Sequence, residues 1–203
     1  QWDEAKFVVD EVPDSFDRML VGMDYGYNNP SVLLLIGIKD ATMYVIDEWY
    51  ERHKLEEQVI AEAKRLRELH PIECFVVDPS CAGVRASMRN VGLDAVPADN
   101  AVFSGIQTVS ARLANDPSGK PRLRVHQRCS NLLREFGSYE WMSKQDGSMK
   151  DQPKKEHDHA LDALRYAVVY TDGIRKAPSI RALDAEVARN YDPTFDERLW
   201  TEF

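Results

Sequence analysis

Hydrophobic and polar positions along the chain fall into two rhythms. Three apolar runs come early: Met19 to Gly26 (MLVGMDYG), Val32 to Ile38 (VLLLIGI) and Met43 to Tyr50 (MYVIDEWY), parted by the polar stretches YNNPS and KDAT. Short apolar runs bounded by turn residues predict three strands in an antiparallel meander. From Arg52 to Leu69 the rhythm changes, with Leu55, Val59, Ile60, Ala63 and Leu66 recurring at helical spacing among charges until His70-Pro71 stops the run. This predicts an amphipathic helix of four or more turns. Glu73 to Ser80 (ECFVVDPS) is then a continuous apolar strand ending in an acid. Its place after a helix predicts parallel pairing with an earlier strand and the order βββαβ.

The later elements are shorter. The pattern predicts a helix over 82–90, a strand over 94–98, a helix over 103–115 starting near Ser104, and a strand over 122–126 (RLRVH). A helix over 129–139 (CSNLLREFGSY) has Ser130 as cap and Gly137 near its end. The segment SYEWMSKQDGSMKDQP predicts a hairpin around Gln145-Asp146-Gly147, because Asp-Gly between extended runs is a strong turn signal. A last strong helix runs from about Asp158 to Thr171; beyond Gly173 the chain turns polar and proline-punctuated, with a lone helix expected over 181–190. The divisions expected are an N-terminal extension over 1–18, an α/β domain over 19–173 and a tail over 174–203.

Composition narrows the classes. With 203 residues, 43% hydrophobic and 30% charged, the chain can core one domain. A formal charge of −8 argues against a simple DNA-coating protein, although acids gathered around cations raise the negative count without repelling a metal-bridged phosphate. Cys74, Cys81 and Cys129 show no CxxC spacing and read as reduced thiols of an intracellular protein. No apolar run nears the roughly 20 residues that span a bilayer, and the start QWDEAKFVVD lacks signal-peptide character and an initiator Met, as expected of a fragment.

The chemistry lies in the acids. Asp24 and Asp78 each end a strand, and if those strands are parallel neighbours, both carboxylates emerge at the edge where ligand sites of open α/β sheets lie. On the last helix Asp158, His159 and Asp162 project to one side, beside an apolar stripe of Leu161, Leu164, Ala167 and Val168. Clustered carboxylates suit hard Mg²⁺ or Mn²⁺, and two such ions roughly 4 Å apart can activate water and stabilise a leaving oxygen. Each residue also has a plainer reading. Asp24 or Asp78 alone is a turn former, Asp158 an N-cap, and His159 a partly buried polar residue. Asp47 and Glu48 are weaker candidates, since one of each adjacent pair on a strand faces solvent.

The stretches VGMDYGYNNPSVLLLIGI, FVVDPSCAG and HDHALDALRYAVVY resemble the C-terminal nuclease domain of the terminase large subunit of tailed phages, in the RNase H-like superfamily. The resemblance runs from about Met19 to Tyr170, and its H-x-x-D-A-L-R-Y helix is the most specific part. It implies an α/β fold with a central mixed sheet of five or slightly more strands, flanked by helices, plus an auxiliary β-hairpin that regulates access. It implies an endonuclease that cuts concatemeric viral DNA during packaging in the host cytoplasm, leaving a 3′-hydroxyl and a 5′-phosphate. Position by position, Asp24, Asp78 and Asp162 match the family's three metal-binding acids, with Asp158 and His159 at the polar positions before the third. Mg²⁺ or Mn²⁺, two ions with substrate, are the implied cofactors; double-stranded DNA, the small subunit and the portal are the implied partners. No G-x-x-x-x-G-K-[ST] occurs, so the family's ATPase domain is expected to lie outside this chain. The DNA-contact candidates are Arg85 and Arg89, Arg122, Arg124 and Arg128, and Lys150, Lys154 and Lys155. Other readings are a junction resolvase or transposase core, and a non-catalytic module that docks to a portal.

Overall fold

The computed structural model describes residues 2–116, 119–138, 141–143, 149–153 and 158–176. Two compact units divide the chain, Gln1–Thr171 and Asp172–Phe203, and the first holds the sheet. In chain order the elements are α1 (Glu4–Phe7), β1 (Val8–Val9), β2 (Arg18–Asp24), β3 (Ser31–Lys39), β4 (Thr42–Glu51), α2 (Glu56–Leu69) and β5 (Phe75–Val77). They continue as α3 (Ala82–Asn90), β6 (Ala95–Pro97), α4 (Val102–Arg112), β7 (Leu123–His126), α5 (Ser130–Ser138), β8 (Trp141–Ser143), β9 (Met149–Pro153) and α6 (His159–Lys176).

Seven strands form one mixed sheet in the order β1-β7-β4-β3-β2-β5-β6. The meander β2-β3-β4 is antiparallel, and every other pairing in this sheet is parallel. This is the α/β architecture expected, enlarged at one edge by β1. Two valines are too short a run to register as a strand, so the 1–18 segment gave no such signal. They are held by parallel pairing to Val125 and His126, by fully buried Phe7, and by Trp2 stacked on Phe136 with ring centroids 4.0 Å apart. The strands β8 and β9 pair as a separate antiparallel hairpin; its expected turn at Gln145-Asp146-Gly147 lies outside the described residues, as does the helix expected over 181–190.

Period-two alternation divides the core between the two faces of the sheet. Val21, Met23, Leu33, Leu35, Phe75 and Val77 pack with Val59, Ala63 and Leu66 of α2 and with Val84 and Met88 of α3. Leu20, Val32, Leu34, Ile36 and Val76 pack on the other face with Ala160, Ala163, Leu164 and Ala167 of α6. The second face owes its closeness to small residues. A Cβ added at Gly22 would lie 2.1 Å from the carbonyl oxygen of Ala163, so only glycine lets α6 descend this far onto β2. That descent brings the first turn of α6 level with the end of β2.

Candidate active site

Parallel pairing places Gly22 opposite Val76 and Met23 opposite Val77, so Asp24 and Asp78 stand one step further along adjacent strands. The amide of Asp78 donates to the carbonyl of Met23 at 3.2 Å. By alternation Asp24 shares the face of Leu20 and Gly22, which is the face covered by α6. The expected convergence of the two strand-end acids therefore follows from the register of β2 and β5.

Asp24 is 9% exposed, and His159 joins it across a 2.9 Å contact between Nδ1 and Oδ2. Burial raises the Asp24 pKa, the hydrogen bond from His159 opposes that shift, and the charges of Asp78 and Asp158 add to it. His159 in turn is held above the ordinary histidine range, first by its bond to Asp24 and then against its own burial. Each partner thus favours the charged form of the other against the cost of its burial. Asp162 is raised by burial, lowered by Arg165, and raised again by Asp158 and Asp24. Asp24, Asp78, Asp158, His159 and Asp162 thus share one electrostatic neighbourhood at the rim, as the sequence reading requires.

Each acid has its own brace. Asp78 Oδ1 accepts from the amide of Ser80 at 2.8 Å, an Asx turn, and Arg85 Nη1 donates to the carbonyls of Asp78 and Pro79 at 2.7 and 3.0 Å. Asp162 Oδ1 accepts from Arg165 Nη2 at 2.7 Å and Nε at 3.1 Å. Among the described residues no three His, Cys, Asp or Glu side chains already close on one point as metal ligands. The donor set is nonetheless all hard oxygen plus one imidazole, which suits Mg²⁺ or Mn²⁺ once His159 and Arg165 yield part of their hold on the carboxylates.

Two residues that the sequence reading weighed elsewhere, or passed over, turn out to cap helices. The first-turn amides of α6 are bound by Glu135: Oε2 accepts from Ala160 at 2.8 Å and from Leu161 at 3.0 Å. Asp158 stands at the N-cap position, its carbonyl accepting from the Asp162 amide at 2.8 Å, but the side-chain capping expected of it is supplied by a carboxylate from α5. Glu135 is 0% exposed and also accepts from the Tyr50 hydroxyl at 3.0 Å; burial pushes its pKa up to about 7. Glu48 performs the same service one step earlier, accepting from the amides of Asn131 (2.6 Å) and Leu132 (2.9 Å) at the start of α5. Ser130 is therefore not the principal cap of α5, and Glu48 is not a metal candidate. The signal for Glu135 was present: it falls three residues after Leu132 on the buried stripe of its helix, where a bare charge is too costly to leave unpaired.

The basic candidates separate by place. Because β7 runs parallel to β4, and β4 parallel to β2, Arg122 lies at the sheet edge opposite Asp24. Arg124 Nη1 donates to the Lys6 carbonyl at 2.7 Å, Arg89 Nε to the Ala95 carbonyl at 2.7 Å, and Arg128 Nε to His126 Nδ1 at 3.0 Å. Arg85 is bound directly to the turn that carries Asp78. Lys154 and Lys155 lie outside the described residues, and Lys150 is placed only by its backbone in β9.

Comparison with solved structures decides the fold. The large terminase of a thermophilic bacteriophage, in complex with ATP-gamma-S, is 29% identical with a TM-score of 0.74, over 83% of this chain and 43% of that one. The P22 large terminase nuclease domain gives a TM-score of 0.66 at 19% identity, covering 85% of this chain and 91% of that chain. This is the large-terminase nuclease fold. The nuclease domain of the bacteriophage SPP1 large terminase with bound Mn gives 0.62 at 18% identity, over 81% and 95% of the two chains. The chain described here spans less than half the length of the thermophilic phage's large terminase. No family model and no curated protein matches it. Among the described residues, no helix is long and apolar enough to cross a membrane.

Proposed function

We propose that this terminase-type domain is a metal-dependent DNA endonuclease that cuts concatemeric viral DNA during genome packaging by phosphodiester hydrolysis. The observation that carries the reading is the rim itself. Strand-end Asp24 and Asp78, Asp158 just before α6, and His159 and Asp162 of its first turn lie within electrostatic reach of one another, with Asp24 bonded to His159 at 2.9 Å. The Mn bound by the SPP1 nuclease domain of the same fold supports a hard divalent cation here. Asp24, Asp78 and Asp162 would hold the cation, with Asp158 alongside; two ions are expected with substrate. When bound, such cations supply Lewis-acid activation of water and neutralise charge on the phosphate.

The chain's own residues do the rest. Asp24 orients the His159 ring through Nδ1, which leaves Nε2 as the atom that carries a proton to or from the reacting oxygens. Arg85 fixes the turn at Asp78 and stands nearest that acid among the basic DNA candidates. The hairpin β8-β9 precedes α6 in the chain and, by the family resemblance, would govern access to the rim. Double-stranded DNA, an ATPase domain in a longer chain, the small terminase subunit, the portal and a host-cytoplasmic setting complete the proposal.

The test is cleavage of supercoiled plasmid with Mn²⁺ or Mg²⁺. The wild type should cut, chelation should stop it, and Asp24→Asn should slow it by at least about a hundredfold, since loss of a ligand exceeds the 10–100-fold typical of its supporting groups. Equal cutting by both chains would overturn the role of Asp24.

A further inference from the structure

Arg165 is built into the structure more firmly than a surface partner of Asp162 needs to be. The residue is 3% exposed, its guanidinium sits 4.7 Å over the Tyr166 ring, and Nη2 reaches Asn100 Oδ1 at 3.3 Å. Its stem lies in a notch of α4, where a Cβ added at Gly105 would come within 2.7 Å of Cδ and 2.8 Å of Cγ. Nη1 is buried with no hydrogen-bond partner. Both bonds to Asp162 fall on the same oxygen, Oδ1, while the Asp162 side chain keeps 33% of its surface exposed. A fixed positive charge is therefore packed against the back of one carboxylate in a cluster of four acids.

We infer that Arg165 is a positioning residue that also acts as a resident cation. It holds Asp162 in one orientation and offsets part of the cluster's negative charge, so a divalent ion binds more weakly than the acids alone would dictate. The inference rests on the metal-site reading above and adds its regulation. Even screened as in bulk water, a unit charge a few ångströms from a divalent ion changes affinity by about tenfold or more. A purely structural arginine would act in the opposite direction, because its loss would loosen Asp162 and weaken the ion.

Calorimetric titration of Mn²⁺ into the metal-free 203-residue chain and its variants distinguishes these. Arg165→Met should bind Mn²⁺ about tenfold more tightly or better, Arg165→Lys should stay near wild type, and both should cleave plasmid more slowly because Asp162 is less well held. Gly105→Ala, which displaces the arginine stem without changing any charge, should tighten Mn²⁺ binding by a few-fold and guards against misfolding of the Met variant. Unchanged or weaker Mn²⁺ binding in Arg165→Met and Gly105→Ala overturns the inference, even if wild-type cleavage depends on Mn²⁺. Tightened binding with no cleavage by any chain overturns the nuclease reading and leaves this one standing. No Mn²⁺ binding by any chain overturns both.

Discussion

The rim of the sheet and the frame behind it use the same functional group in opposite ways. Behind the rim, Glu48 from β4 caps α5, and Glu135 from α5 caps α6, each binding two consecutive backbone amides. At the rim, Asp24 and Asp162 are each bonded to one basic side chain, His159 and Arg165. Backbone amides are permanent partners, so the capping carboxylates have no remaining role to play in chemistry. A basic side chain can move or share its oxygen, so a carboxylate held that way remains open to a metal or a proton. On the proposed function, what separates a structural acid from a chemical one is the identity of its partner more than its burial: Glu135 is wholly buried on backbone amides, and Asp24, proposed as a metal ligand, is nearly as buried on a side chain.

The strongest way to break this contrast is to remove the cap. Glu135→Ala strips two amides and a tyrosine hydroxyl of their acceptor and leaves a small cavity, which should cost about 3 kcal/mol in chemical denaturation. Plasmid cleavage should fall at least about tenfold as well, because His159 is the first residue of the freed helix. Glu135→Gln keeps an acceptor for the amides and isolates the charge. With its folded pKa pushed up to about 7 from an ordinary 4.5, Glu135 takes up its proton more readily folded than unfolded. Its contribution is then fully present below about pH 4.5 and lost as pH rises through 7. Relative to Glu135→Gln, wild type should therefore lose on the order of 3 kcal/mol between those pH values. A flat difference across that window would place the charge in a more solvated setting than the structure gives it.

A smaller effect follows from Asp162. The sequence alone suggests that Asp162→Asn would leave the fold intact, because size is kept and only charge is lost. The structure adds Arg165, which would be left buried without a counter-charge. We expect Asp162→Asn to lose about 2 kcal/mol, less than the 3–5 typical of fully buried pairs because this carboxylate is partly exposed. Adding Arg165→Met should recover at least half of that loss. Strict additivity of the two changes in a double-mutant cycle would show that the pair does not couple, and that Asp162 is a rim residue in isolation.

Much of this was legible in the chain, and what was not has a physical cause. The strands of the meander, the helix after it, and the strand ending at Asp78 all carry long periodic signals, and their pairing followed from the order βββαβ. Asp24, Asp78 and Asp162 were found because each interrupts such a signal at an end or on one face. Glu135 was missed because it sits inside a helix already explained by its leucines and its partner amides lie 25 residues away at Ala160. Arg165 could have been paired with Asp162 by its i,i+3 spacing, but its burial against Gly105 and Asn100 of distant segments could not be read that way. Sequence spacing reports neighbours on one element; it does not report which helix end a distant carboxylate will reach. Gly22 shows the same limit, since its need for glycine arises from the Ala163 carbonyl across the sheet.

The smallest expected effect tests whether the division between rim and frame extends to the cations. Arg124 was a DNA candidate by charge, yet its guanidinium donates to the Lys6 carbonyl at 2.7 Å and so ties the N-terminal segment to β7. By the same logic that assigns Glu135 to the frame, Arg124→Ala should cost about 1 kcal/mol, the net value of one such bond, because water can reach the released carbonyl. Plasmid cleavage and its salt dependence should stay within about twofold of wild type, since removing one phosphate contact would lower the salt slope by about one. Urea denaturation and cleavage rates at two salt concentrations measure both quantities. Should the salt slope fall by about one while stability is unchanged, Arg124 grips phosphate, and a backbone carbonyl partner does not mark a charge as structural here.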